Sequence, residues 1–304
     1  SQCLTGINAH PVPDSLVCNC CQERSKLQGF VMKRLFLLLG LIALFSQPLR
    51  ADVLVLVHGY MSDSRTWEVH GVLPVLVANG WQPAGVLTVT PDGQVPIPGA
   101  VQAERRVYSV NLLASAPFVV QARQLAAQVA ALRARHPDER LILAGHSAGG
   151  VIARMLVLNG NPYQVDTLIS IASPHLGTSR AADGLDLVDF NPFFCPGPGL
   201  EFMKSALVGD EYDYLKYSRA TLVDLLPAES GNVLAWLNQQ PHADIAYYAV
   251  VHGAQHGGDN LVPAYSQDLN NVPALRGRAR LIPTPAGHSL NPADGQLLAD
   301  LLAG

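Results

Sequence analysis

The chain has 304 residues, of which 49% are hydrophobic and 14% are charged, and its formal net charge is −4. This composition favours an ordered protein with a large core over a disordered chain, and the length suffices for one large domain or two small ones. The slightly acidic balance argues against a nucleic-acid partner, because such partners normally require a strongly basic surface.

The segment before residue 52 has the pattern of a secretory signal peptide. Two basic residues after Met32 precede eleven apolar or glycine residues (35–45), and a short polar stretch then ends at Ala51. The apolar run is shorter than the ~20 residues that span a bilayer, and Pro48 ends it, so a membrane anchor is less favoured. We therefore predict a signal peptide over 32–51, cleavage near Ala51, and a secreted or periplasmic protein.

Residues 1–31 carry four of the five cysteines but no periodic apolar pattern. Their cluster Cys18-Asn-Cys-Cys21 lacks the paired Cys-x-x-Cys spacing and the histidine partner of a zinc site. We interpret this segment as a non-native or over-extended leader. Cleavage after Ala51 would leave Cys195 as the only cysteine, which excludes an intramolecular disulfide.

From Asp52 onward, apolar runs alternate with helical patterns. The apolar runs predict strands at 53–57, 86–90, 107–112, 141–144, 167–172, 245–251 and 279–282. Helical spacing predicts helices at 66–78, 115–135, 151–158 and 294–303. Strands that alternate with helices indicate a mostly parallel sheet with helices on both faces, here in one domain over 52–304.

A long segment, 180–241, interrupts this alternation and has poor periodicity. It contains four of the eight phenylalanines of the chain within thirteen residues: Phe190, Phe193, Phe194 and Phe202. Loops of this length inside compact domains tend to be functional. Two interpretations stay open, since these aromatic side chains could cover part of the core or form a cap whose apolar underside binds a substrate.

The stretch Leu141-Ile-Leu-Ala-Gly-His-Ser-Ala-Gly-Gly150 places one serine among small residues. A chain that turns from strand to helix within three residues strains the residue at the apex, and the neighbours two positions away collide unless they are glycine or alanine. Such a turn lifts the Ser147 hydroxyl clear of the sheet edge, beside the N-terminus of a helix. The pattern therefore predicts that Ser147 is a nucleophile.

A serine hydroxyl needs a histidine to accept its proton and a carboxylate to orient that histidine. In an open α/β sheet, these side chains should lie at the carboxyl ends of strands. His288 lies between the last predicted strand and the last helix, and it is the predicted base. Asp259 follows the preceding strand and is the predicted acid. Asp268 is the main alternative, whereas Asp294 fits a helix N-cap.

Attack on a carbonyl group creates an oxyanion, which needs hydrogen-bond donors already in place. The backbone N–H of Ala148, directly after the serine, is one predicted donor. The loop after the first strand, Val57-His-Gly-Tyr-Met-Ser62, supplies the other through the N–H of Tyr60. His58 and His146 lie beside these two turns, so we expect them to have supporting roles.

These motifs resemble those of one family. Gly145-His-Ser-Ala-Gly149 fits the G-x-S-x-G motif of the α/β-hydrolases, and the chain order Ser147, Asp259, His288 matches the order of their triad. Three further segments resemble bacterial lipases and related esterases: Val55-Leu-Val-His-Gly-Tyr60, Ser173-Pro-His-Leu-Gly-Thr178 and Asp259-Asn-Leu-Val-Pro263. The resemblance covers the chain from residue 52 onward, apart from 180–241.

The resemblance implies an α/β-hydrolase fold with a cap-like insertion at 180–241. It also implies Ser147 as nucleophile, Asp259 as acid, His288 as base, and Tyr60 and Ala148 as oxyanion donors. Some relatives hold a structural calcium ion near the histidine loop. Asp259, Asp268 and Asp294 could contribute ligands, but their spacing does not assemble a site, so the expected cofactor is none. The first two sheet strands of the family have no counterpart before 53–57.

The predicted function is a carboxylic ester hydrolase of the lipase or esterase type, acting through a serine acyl-enzyme. Its expected partner is a small-molecule or lipid ester, with transient contact to a lipid interface. A thioesterase, an amidase or an acyltransferase would use the same side chains. A non-catalytic binding module with the hydrolase fold is a further alternative, but the complete set of catalytic residue types argues against it.

Overall fold

A computed structural model describes residues 51–99, 103–189, 210–229 and 231–303. The predicted leader and all of the predicted signal peptide except Ala51 lie outside these ranges. The same holds for Cys195 and for the four phenylalanines considered as cap residues, which are Phe190, Phe193, Phe194 and Phe202.

The described part of the chain forms a sheet of seven parallel strands in the order β2-β3-β1-β4-β5-β6-β7. The strands are β1 (Asp52–Val57), β2 (Gln82–Leu87), β3 (Arg105–Val110), β4 (Arg140–His146), β5 (Thr167–Ile171), β6 (Ala246–Val251) and β7 (Ala279–Pro283). Because all the strands are parallel, their carboxyl ends lie along one edge of the sheet.

The direction in which the sheet grows reverses at β1. After β1 the chain forms β2 and β3 on one side, and it then crosses to add β4 to β7 on the other side. In open α/β sheets, ligands bind outside the carboxyl ends of the strands at such a reversal. The loops that follow β1 and β4 are therefore the first place to look for a functional site.

Helices cover both faces of the sheet. They are α1 (Thr66–Val69), α2 (Val72–Ala78), α3 (Phe118–Arg135), α4 (Ala148–Met155), α5 (Ser179–Asp189), α6 (Asp210–Tyr217), α7 (Arg219–Leu225), α8 (Val233–Gln239), α9 (Ala264–Gln267) and α10 (Pro292–Leu301). Apolar side chains of α3 and α4 pack on one face, and those of α2 and α10 pack on the other. No helix in the described ranges is long and apolar enough to cross a membrane.

The central strand β1 is apolar at every position from 53 to 57 because both of its faces are buried. Val53, Val55 and Val57 join the cluster formed with α3 and α4. Leu54 and Leu56 point the opposite way, into the cluster formed with α2 and α10. A strand buried on both faces needs a continuous apolar run, because alternate side chains enter different halves of the core.

The predicted α/β architecture is confirmed, but several element boundaries differ from the prediction, and three of these differences have a clear local cause. The helix expected at 66–78 is interrupted at Gly71, which has a φ of 78°. The strand expected at 86–90 is β2, which begins earlier and contains Pro83. It tolerates this proline because it is an edge strand of the sheet. The last helix is capped by Asn291 and not by Asp294, which occupies the third helical position and completes a capping box.

We predict that Leu143→Ala, in the middle of β4, lowers the free energy of unfolding by about 2–5 kcal/mol, because this side chain is fully buried and its removal leaves a cavity. Leu281→Ala on the edge strand β7 is the matched control, since Leu281 is 45% exposed and should lose much less. Chemical denaturation of both variants measures the difference. Equal losses would contradict the assignment of β4 to the core.

Candidate active site

Ser147 occupies the turn between β4 and α4. Its backbone has a φ of 52° and a ψ of −129°, a conformation that side-chain-bearing residues rarely adopt. The N–H of Ser147 donates a hydrogen bond to the carbonyl of Ile171 at the end of β5, with an N–O distance of 2.8 Å. The strained turn is thus fixed to the neighbouring strand, and it places the serine at the carboxyl edge of the sheet.

The glycines around Ser147 allow this turn to approach the loop after β1. A Cβ atom on Gly149 would lie 2.3 Å from the carbonyl oxygen of His58, and one on Gly145 would lie 2.5 Å from the Cα of Gly150. Both distances are far shorter than van der Waals contact, and both neighbours are backbone atoms that cannot rotate away. The G-x-S-x-G spacing is therefore required by close backbone packing on both sides of the serine.

The structure brings Ser147, His288 and Asp259 together. The Nε2 atom of His288 lies 3.0 Å from the Oγ atom of Ser147, and its Nδ1 atom lies 2.9 Å from Oδ2 of Asp259. The three residues come from the connections after β4, β7 and β6, so the parallel sheet places all of them at one edge. In this order, the imidazole can accept the serine proton, and the carboxylate orients the imidazole and stabilises its charged form.

The Asp259 carboxylate is buried and fully hydrogen-bonded. Its Oδ1 atom accepts the N–H groups of Leu261 and Val262 at 2.8 and 2.7 Å, and Oδ2 accepts from Nε2 of Gln267 at 3.2 Å. Burial disfavours the charged form, but the bonds from His288 and these N–H groups outweigh it and hold the pKa of Asp259 below its usual value. The group opposite Nδ1 of His288 is therefore an anion at neutral pH.

Asp268, the alternative acid, forms hydrogen bonds within its own loop. Its Oδ1 atom accepts the backbone N–H of Asn270 at 2.9 Å and the side-chain amide of the same residue at 3.0 Å. In this way Asp268 caps the short 3₁₀ helix Leu269–Asn271. The geometry pairs His288 with Asp259 and not with Asp268.

The two predicted oxyanion donors, the N–H groups of Ala148 and Tyr60, belong to the two segments that meet at Ser147. Ala148 is the first residue of α4, so its N–H has no partner within the helix. A Cβ atom on Gly59 would lie 2.9 Å from the Cβ of Ser147, which places the peptide between Gly59 and Tyr60 alongside the serine. This arrangement fits the predicted donors, Ala148 and Tyr60.

Two buried histidines support these turns. The Nε2 atom of His58 accepts the N–H of Leu112 at 3.0 Å, so its Nδ1 carries the proton and donates to the carbonyl of Gly59, also at 3.0 Å. Burial lowers the pKa of His58, which keeps it in the neutral form that these bonds require. The Nε2 atom of His146 donates to the carbonyl of His288 at 2.8 Å, and burial together with the charge of His288 lowers the pKa of His146 to about 3.

A contact that the sequence does not reveal joins the Tyr60 loop to the 180–241 insertion. The hydroxyl of Ser218 donates to the carbonyl of Tyr214 at 2.7 Å, so the hydroxyl of Tyr60 donates to Ser218, with an O–O distance of 2.5 Å. The rings of Tyr60 and Tyr214 also pack together, with centroids 5.5 Å apart. Helices α6 and α7 therefore help to hold the loop that presents the Tyr60 N–H.

The three carboxylates considered as calcium ligands each have another partner. Asp259 is paired with His288, Asp268 with Asn270, and Asp294 with His252. Within the described ranges, no group of three or more histidine, cysteine, aspartate or glutamate side chains is arranged to hold a metal ion.

Comparison with known proteins identifies the family. The alpha/beta hydrolase family matches residues 54–301 of the chain. The chain therefore belongs to the α/β hydrolase family, and the resemblance inferred from its motifs is confirmed.

Solved structures share the fold. Lipase BlEst2 from Bacillus licheniformis in its mature form has a TM-score of 0.54 and is 13% identical, over 84% of this chain and 92% of that chain. Its propeptide form has a TM-score of 0.51 and is 14% identical, over 81% of this chain and 48% of that chain.

The GPI inositol-deacylase of Debaryomyces hansenii is 39% identical over 51 residues, and the match covers 16% of this chain and only 5% of that protein.

We predict that Gly149→Ala lowers the free energy of unfolding by about 1–3 kcal/mol. The added methyl group would collide with the backbone of the loop after β1 and displace that loop. Gly287→Ala is the matched control, since a Cβ atom there would have no neighbour within 4 Å and the backbone needs no positive φ. Thermal and urea unfolding of the two variants provide the comparison. Wild-type stability of Gly149→Ala would contradict the close approach of the two loops.

Proposed function

We propose that the protein is a secreted or periplasmic carboxylic ester hydrolase of the lipase or esterase type, which acts through an acyl-enzyme on Ser147. The observation that carries this proposal is the chain of contacts from the Ser147 hydroxyl to His288 and on to the buried carboxylate of Asp259, with distances of 3.0 and 2.9 Å. These three residues lie at the carboxyl edge of the sheet, near the point where the strand order reverses, which is where ligands bind in open α/β sheets. Ser147 itself is partly exposed, so a ligand can reach it.

In the first half of the reaction, Oγ of Ser147 attacks the carbonyl carbon of the ester while Nε2 of His288 takes the hydroxyl proton. Asp259 stabilises the imidazolium that forms, because its charge is fixed beside Nδ1. The N–H groups of Ala148 and Tyr60 donate to the oxyanion. The C–O bond of the ester then breaks, the alcohol leaves with the proton from His288, and the acyl group remains on Ser147.

In the second half, water replaces the alcohol. His288 takes a proton from the water as its oxygen attacks the acyl carbon, and the same N–H groups stabilise the second oxyanion. The bond to Ser147 breaks, the serine regains its proton from His288, and the carboxylic acid is released. The chain's own residues supply every proton transfer in this scheme.

Two observations support an apolar acyl substrate. Met61 and Leu261 lie in the loops after β1 and β6, at the same edge as Ser147, and are 45% and 43% exposed. Apolar side chains exposed around a site favour contact with an apolar ligand or a lipid surface. The short similarity to a protein named GPI inositol-deacylase also supports hydrolysis of an acyl group.

Ser147→Ala should reduce the turnover of nitrophenyl esters by on the order of 10⁴-fold, because the nucleophile is lost while the fold keeps all its backbone contacts. Circular dichroism and the melting temperature verify that the variant is folded. Retention of more than about a tenth of the wild-type rate, in protein free of other esterases, would refute the acyl-enzyme on Ser147. Thioester and amide substrates in the same assay separate the proposed activity from that of a thioesterase or an amidase.

Asp259→Asn should reduce kcat by on the order of 10³- to 10⁴-fold, because the amide cannot stabilise the His288 imidazolium or fix its tautomer. Asp268→Asn is the matched control, and we expect it to remain close to wild type in kcat since Asp268 only caps a short helix. Steady-state kinetics of both folded variants decide the matter. The reverse ranking would show that the carboxylates have been assigned to the wrong roles.

A further inference from the structure

A second histidine–aspartate pair lies beside the proposed triad. His252 directly follows β6, and its Nε2 atom lies 2.9 Å from Oδ1 of Asp294, near the start of α10. The side chains of His252 and Asp294 are 0% and 3% exposed. The mechanism above does not use this pair, so its burial needs a separate explanation.

Both ring nitrogens of His252 face hydrogen-bond acceptors. Besides the contact between Nε2 and Asp294, the Nδ1 atom lies 2.7 Å from the carbonyl oxygen of Gly287. A carbonyl oxygen cannot donate, and a neutral imidazole carries only one N–H, so both contacts are satisfied only when each nitrogen is protonated. Asp294 in turn accepts the N–H and the side-chain amide of Asn291 at Oδ2.

The charges around His252 agree with this protonation state. Burial disfavours the imidazolium, but Asp294 on α10, the Gly287 carbonyl and Asp259 after β6 outweigh it and raise the pKa of His252. His146 at the end of β4 is the other titratable group that acts on it, and burial keeps His146 neutral. The side chain from α9 that contacts the backbone of His252 is the neutral Gln267.

The position of His252 connects it to two members of the triad. It holds the carbonyl of Gly287, the residue immediately before His288, while His146 holds the carbonyl of His288 itself. The backbone on both sides of the His288 Cα atom is therefore fixed by a buried imidazole N–H. On its other side, the backbone N–H of His252 donates to Gln267, whose amide donates to Asp259 at 3.2 Å.

We propose that His252 is a positioning residue, held as an imidazolium by Asp294, which fixes the backbone of His288 so that the imidazole reaches both Ser147 and Asp259. This inference rests on the proposed hydrolase function, because its kinetic consequence is read from ester turnover. Displacement of a catalytic group by ~1 Å can cost about 100-fold in rate, so a residue that only positions can matter as much as one that reacts.

The kinetic test compares His252→Gln with His256→Gln. Glutamine at 252 can donate to Asp294 or to Gly287 but not to both, and it carries no charge. We expect kcat for nitrophenyl esters to fall by on the order of 10- to 100-fold with little change in KM. His256 is an exposed histidine in the same loop, so its replacement should leave kcat unchanged. A merely structural His252 would lower the melting temperature while leaving kcat of the folded variant near wild type, and that result would overturn the proposal.

The pH dependence supplies a readout of the charge. Because the pKa of His252 is raised on folding, the charged form contributes fully below the usual histidine value of about 6.5 and is lost as the pH rises through the higher folded value. Wild-type protein should therefore lose melting temperature and kcat as the pH rises through that folded value. His252→Gln should lack that part of the decline, whereas His256→Gln should retain it. Identical pH profiles of wild type and His252→Gln above about pH 6.5 would contradict the proposal.

Nitrogen NMR of the wild-type protein tests the protonation state without any substrate. At about pH 6.5, where an ordinary imidazole is half protonated, both ring nitrogens of His252 should carry protons, because both contact acceptors. A neutral His252 ring would overturn the proposal. Because this measurement does not use an ester, failure of the wild type to hydrolyse esters would count against the proposed function and would be distinguishable from a neutral His252.

Discussion

The turn at Ser147 comes so close to the loop after β1 that Gly59 and Gly149 have no room for a side chain. The carbonyl of His58 occupies the space that a Cβ atom of Gly149 would need, and Gly59 lies in the same way against Ser147. This approach gives the serine its strained backbone and brings the start of α4 beside the Tyr60 loop. The placement of Ser147 and of the two N–H groups proposed as oxyanion donors therefore depends on one backbone contact, which explains why residues 59 and 149 are glycines.

His288 has no comparable turn to fix it, since it lies in an irregular connection between β7 and α10. Its position depends on side chains that hold its backbone, and the two that do so are histidines in opposite protonation states. Burial, together with the nearby His288, lowers the pKa of His146 to about 3, so His146 is neutral. His252 is more deeply buried, but it faces the Asp294 carboxylate and the Gly287 carbonyl. The surroundings and not the residue type decide the charge of each ring.

Much of the fold could be predicted from the sequence because the central strands are buried on both faces. The runs at 53–57 and 141–144 lie within β1 and β4, whose apolar residues the helices cover. The prediction places the second strand at 86–90, whereas β2 spans 82–87. The apolar pattern does not show its start, because an edge strand needs few apolar residues and tolerates Pro83. The helix expected at 66–78 is broken because Gly71 adopts a positive φ, which apolar spacing does not show.

The candidate site also contains residues that the sequence predicts and residues that it does not. Ser147, Asp259 and His288 could be predicted because each follows a strand of a parallel sheet, so their order along the chain fixes the edge at which they meet. The pair of His252 and Asp294 and the bond from Tyr60 to Ser218 could not, since their partners are 42 and 158 residues apart and no local pattern links them. Only a folded chain shows that these polar side chains need one another when they are buried.

The central claim is that Ser147 is a nucleophile activated by His288. Labelling with a fluorophosphonate tests it most directly, because the reagent reacts only with a serine whose hydroxyl is activated. Wild-type protein is incubated with the reagent, digested and analysed by mass spectrometry, with His288→Ala as the matched variant. The account predicts a single adduct on the peptide that contains Ser147, formed quickly in the wild type and at a greatly reduced rate in His288→Ala. An adduct on another residue, no adduct, or equal rates in the two proteins would contradict it.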